Sequence, residues 1–118
     1  MELQDAIAAL SALSQEGRLS AFRLLVRAGR DGLPAGDIAR ALDVAPNTLS
    51  AQLAILSNAG LVTSRREGRS IIYAANYDEM SALIVFLMED CCQGRPEVCA
   101  PVVAAASCSP RTAEGARS

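Results

Sequence analysis

The stretch that decides the fold is PNTLSAQLAILSNAGLVTSRREGRSIIYA, residues 46–74. Within it Leu49, Leu53 and Leu56 fall at i, i+4 and i+7, one stripe of an α-helix that must face a core. Pro46 suits the first helical position, where a missing N–H costs nothing, and Ala59-Gly60 ends the helix after Asn58. The period then changes. Leu61 to Arg65 and Ser70 to Ala74 are two β-prone runs, and Arg66-Glu67-Gly68-Arg69 supplies the turn between them, with Gly68 tolerant of positive φ. A helix runs directly into a hairpin.

Working outward, Ala35 to Leu42 forms a short helix with Ile38 and Leu42 inward, and Asp43-Val44-Ala45 turns it into the helix at Pro46. Those lengths are helix-turn-helix proportions. Gly32-Leu33-Pro34 is a break, preceded by a helix from about Gln15 to Ala28 with Leu19, Phe22 and Val26 on one stripe and Gly29 as its stop. Leu3, Ile7 and Leu10 place a first helix over 2–13. After the hairpin a fifth helix runs from Asp78, an expected N-cap, to Cys92, ending around Gly94 before Pro96. The expected fold is a winged helix-turn-helix, mainly α, of about five helices and a two-stranded wing. It occupies 1–99, with 100–118 as a flexible tail of Ala, Ser, Val, Pro and Gly. Leu83, Ile84, Leu87 and Met88 give the fifth helix more apolar surface than one subunit needs to cover, which predicts a dimer.

The composition bounds the function. A chain of 118 residues that is 51% apolar supports one domain, and at 3% aromatic its core must be aliphatic. No apolar run approaches 18 residues and no leader-like start is visible, so the expectation is a soluble cytoplasmic protein, without a membrane partner, whose four cysteines are reduced thiols. His and Lys are both absent. A thiol-dependent reductase, which needs a base or a low-pKa cysteine, is thereby a poor alternative, and the chain is expected not to be an enzyme. A net charge of −2 argues against nucleic acid until its distribution is considered. Arg65, Arg66 and Arg69 face only Glu67 in the hairpin, while Asp78, Glu79, Glu89, Asp90 and Glu97 collect toward the C-terminal side. Arg23, Arg27 and Arg30 form another stripe, read as a solvated face.

Opposite the leucine stripe, the helix at 46–58 shows Asn47, Ser50, Ala51, Ala54 and Asn58, with no charge. Asn pairs with an adenine edge, Ser with several edges, and Ala lets the backbone approach or meets a thymine methyl, so this face suits the major groove. Arginines at an adjacent hairpin tip suit phosphates or a narrow minor groove. The candidate contacts with double-stranded DNA are Asn47, Thr48, Ser50, Ala51, Gln52, Arg65, Arg66 and Arg69. DNA binding calls for no cofactor.

Residues 46–73 resemble the recognition helix and wing of the ArsR/SmtB metalloregulators, the Ala-Gly-Leu-Val exit and the Arg-Glu-Gly-Arg wing being specific in combination. The likeness extends more loosely over 5–93. It implies a homodimer built on the first and fifth helices, and repression of a resistance operon relieved by a toxic metal. Asn47, Ser50 and Ala51 match groove-contacting positions, and Gln52 stands where many members have His.

Cys91 and Cys92 are adjacent, and Cys99 follows seven residues after Cys92. Seven residues span roughly 24 Å when extended, ample for one site within a subunit. Three sulfurs in a chain without His suit a thiophilic ion better than a tetrahedral zinc site. The residues alone leave open that Cys91 and Cys92 are small core residues and that Cys99 is incidental. Glu89, Asp90 and the carboxyl end of a helix disfavour thiolate, which argues against a redox sensor, whereas an ion displaces the protons itself. Many family members bind arsenic through cysteines on the third helix. Here Ala35 to Arg40 carries no sulfur. A cysteine pair followed by a third resembles instead a subgroup that holds trivalent arsenic at the end of the last helix. The expected inducer is therefore trivalent arsenic or antimony on Cys91, Cys92 and Cys99, with Cys108 outside the site. The alternative is a repressor of the same fold sensing cadmium, lead or sulfur oxidation.

Overall fold

The computed structural model describes residues 1–89; all four cysteines and the tail expected at 100–118 lie outside them. The elements are α1 (Leu3–Leu13), α2 (Glu16–Ala28), β1 (Leu33–Pro34), α3 (Ala35–Leu42), α4 (Pro46–Asn58), β2 (Val62–Glu67), β3 (Ser70–Ala75) and α5 (Tyr77–Met88). Met1–Leu83 forms one compact unit, and a second begins at Ile84, within α5.

Helix ends follow local chemistry. The Gln15 side chain accepts from the Arg18 N–H at 2.9 Å and caps α2. Arg18 in turn donates from Nε to the Ala12 carbonyl at 2.6 Å, closing the end of α1. At the end of α4, Gly60 donates to the Ser57 carbonyl at 2.9 Å and Leu61 to the Leu56 carbonyl at 3.0 Å, the paired bonds of a Schellman motif. The expected cap of α5 at Asp78 is corrected. Asn76 takes that role, its Oδ1 accepting from the Glu79 N–H at 3.3 Å, and the helix starts at Tyr77.

The wing has three strands rather than two, ordered β1-β3-β2 and antiparallel throughout. Leu33-Pro34, read from sequence as a break, pairs with Ile72 and Tyr73. The hairpin register runs from Val62 opposite Ala75 to Glu67 opposite Ser70, so the loop shrinks to Gly68-Arg69. Gly68 has φ +63, a backbone that favours glycine in so tight a turn.

The core is aliphatic, as the composition requires. Leu25, Ile38, Leu49, Leu53, Leu56 and Leu61 are its largest fully buried side chains. On α2 the buried stripe is Ala21, Phe22 and Leu25, not Leu19, Phe22 and Val26. On α1 the buried residues are Ala6, Ala9 and Ala12, which let the helix axis approach closely, while Leu3, Ile7 and Leu10 are 60%, 48% and 44% exposed. An apolar stripe is thereby turned to solvent on α1.

Candidate nucleic-acid interface

α3, the turn Asp43–Ala45 and α4 make the helix-turn-helix. Asp43 is the pivot, in the left-handed region at φ 55, and the Val44 N–H donates back to the Ala39 carbonyl at 3.0 Å. Ala45 puts no side-chain cap on α4, so its first-turn N–H groups stay open at the positive end of the helix dipole, an arrangement suited to phosphate.

Leu49, Leu53 and Leu56 are buried, and this fixes what α4 shows outward. Asn47, Thr48, Ser50, Ala51, Ala54 and Asn58 are all exposed. Ile55 joins them at 42% exposure. Sequence reasoning passed over it because an isoleucine between two core leucines looks like core, although its place on the helical wheel lies on the outer side. It adds an exposed methyl-bearing side chain, a chemistry suited to a thymine methyl.

Gln52 lies apart from this face. It is half-buried, its Oε1 is enclosed without a hydrogen-bond partner, and its amide lies against Gly17 of α2. Leaving such an oxygen unpaired costs about 1–3 kcal/mol.

The three wing arginines are not equivalent. Arg65 donates from Nε to Glu67 Oε2 at 2.7 Å and from its terminal nitrogen to the Asp31 carbonyl at 2.9 Å. It sits two residues from Glu67 on the same strand face, so its charge is committed within the fold. Arg66 points to the opposite face and Arg69 sits in the loop. Both are exposed, and among the described residues neither forms an ion pair. They are the wing's available cations.

Other side chains hold the wing in place. Asn76 donates from Nδ2 to the Gly60 carbonyl at 3.0 Å, Tyr77 donates from its hydroxyl to the Val26 carbonyl at 2.9 Å, and the Arg30 guanidinium lies 5.1 Å from the Tyr77 ring centroid. Arg30, read from sequence as part of a solvated stripe, thus helps tie the start of α5 to α2. Among the described residues no helix is long and apolar enough to cross a membrane, and no group of three or more His, Cys, Asp or Glu residues is placed to hold a metal ion.

An exposed, uncharged helix after a tight turn, followed by a hairpin with free arginines, defines a winged helix-turn-helix DNA-binding protein. A family described as a helix-turn-helix domain matches residues 13–65. The transcriptional activator HlyU of Vibrio cholerae is 31% identical over 88 residues, covering 75% of this chain and 79% of that protein. An ArsR-like transcriptional regulator from Rhodococcus superposes with a TM-score of 0.68 at 27% identity, covering 89% of this chain and 96% of the other. A homodimeric winged helix-turn-helix DNA-binding domain from Mycobacterium bovis gives 0.61 at 27% identity, covering 79% and 86%. The chain belongs to the ArsR/SmtB family of winged-helix transcriptional regulators.

Proposed function

We propose that this regulator is an arsenite- and antimonite-responsive repressor. It binds operator DNA as a homodimer and leaves it when the trivalent ion binds Cys91, Cys92 and Cys99. The observation that carries the sensing half is the donor set: three closely spaced sulfurs in a chain with no His, a soft site that favours thiophilic ions. These residues lie outside the described region, so the support is their chemistry and spacing. The DNA half is supported by the outer face of α4 and by Arg66 and Arg69.

Dimerisation is supported by the exposed Leu3, Ile7 and Leu10 on α1, by the exposed Ile84, Val85 and Leu87 on α5, and by the homodimeric relative. Ion binding just beyond α5 would change how the paired recognition helices present themselves, a coupling typically of about 1–3 kcal/mol.

The test is a titration of arsenite, antimonite, cadmium, lead and peroxide into the protein bound to the DNA upstream of its own gene. Release by arsenite and antimonite below the concentrations at which the others act supports the reading. Release by cadmium, lead or peroxide first replaces it with the other thiol-reactive signal. Because the HlyU relative is described as an activator, transcription is followed in parallel, and a fall on deleting the gene would overturn repression.

A further inference from the structure

Gly17 is the second residue of α2, where most residues form helix better than glycine does. A Cβ built on it would lie 3.1 Å from Cδ of Gln52 and closer still to Gln52 Nε2, too near for the amide to remain where it is. The Gln52 Oε1 is buried there without a partner. Open space over the bare backbone therefore admits the amide inward, and hydrogen bonding of that oxygen does not hold it there. Its neighbours on the outer flank of α4, Thr48, Ala51 and Ile55, are all exposed, so a displaced amide exits toward the groove-facing side.

We propose that Gly17 is a specificity-determining position, whose missing side chain withholds the Gln52 amide from the major groove. This rests on α4 being the base-reading helix. With the amide withheld, the bases are read by Asn47, Ser50, Ala51 and Ile55. With any side chain at 17, a glutamine amide joins them beside Thr48, and a glutamine amide pairs bidentately with adenine.

The test compares wild type, Gly17→Ala, Gln52→Ala and the double variant in selections from a pool of random duplexes. Side-chain amide NMR spectra follow the contacts of Gln52 with the residue 17 Hα. Gly17→Ala should fold, because the groups it crowds, the Gln52 amide and the capping Gln15 Oε1 at 3.2 Å, both end flexible side chains. It should lose the contacts and gain adenine at one position of each half-site by at least about fivefold. That gain should vanish in the double variant, and Gln52→Ala alone should keep the wild-type preference. A gain that persists without Gln52, no gain once the contacts are lost, contacts that survive Gly17→Ala, or an altered preference in Gln52→Ala would each overturn the proposal. A wild-type protein that enriches no sequence would instead refute base reading by α4, while the spectra still decide whether the amide is seated against residue 17.

Discussion

Replacing Arg66 or Arg69 by alanine should flatten the salt dependence of DNA binding, whereas replacing Arg65 should change it little. The distinction comes from the wing's hydrogen bonds. Arg65 is committed to Glu67 and the Asp31 carbonyl, while Arg66 and Arg69 are exposed and without ion pairs among the described residues. Each phosphate neutralised contributes about −0.9 to the slope of log K against log salt, so one arginine on each of two wings contributes about −1.8. Between about 50 and about 200 mM salt that term alone weakens binding roughly tenfold, a loss that each variant should be spared. Arg65→Ala should alter the slope by less than half as much, since Glu67 at 2.7 Å already neutralises the charge that Arg65 brings to the wing. The assay is fluorescence anisotropy on a labelled upstream duplex across that salt range. Equal flattening by all three variants, or none by Arg66→Ala and Arg69→Ala, would refute the reasoning.

Three further outcomes follow from the packing. Gly32 has φ +72, and a Cβ there would meet the Tyr73 carbonyl group, with its carbon at 2.9 Å. Gly32→Ala should therefore destabilise by at least the roughly 1–2 kcal/mol of left-handed strain, lowering the melting temperature by about 4 °C or more; an unchanged melt would contradict it. Leu53→Ala, at a side chain only 1% exposed, should cost about 2–5 kcal/mol in denaturant unfolding. Ile7→Asp and Leu87→Asp place charges on exposed apolar faces of α1 and α5, and should give folded monomers by sedimentation that no longer bind the operator. A wild-type monomer at micromolar concentration would remove the dimer from the account.

What the sequence disclosed, and what it hid, divides along the range of the interactions. The bounds of α4, its buried leucines and the turn at Asp43 were legible because helical period, Pro46 and Ala59-Gly60 act within one element. β1 was not, since Leu33-Pro34 carries local break signals and becomes a strand only through pairing with Ile72 and Tyr73. On α1 the period of Leu3, Ile7 and Leu10 placed the helix but not its buried face, which the close approach of neighbouring helices gave to the alanines. Arg65 could not be told from Arg66 until the register and the Asp31 carbonyl were in place. Gln52 lies inward over the bare backbone of Gly17, thirty-five residues earlier, a neighbour that no periodicity records.

The most direct test of the account is arsenite-induced release from operator DNA, measured for wild type and for Cys91→Ser, Cys92→Ser, Cys99→Ser and Cys108→Ser. Wild type and Cys108→Ser should dissociate together, with one arsenic bound per subunit. Each of the other three should bind DNA as wild type does and stay bound as arsenite is added. A Cys99→Ser protein that releases as wild type does would contradict the three-thiolate site and leave at most a vicinal pair.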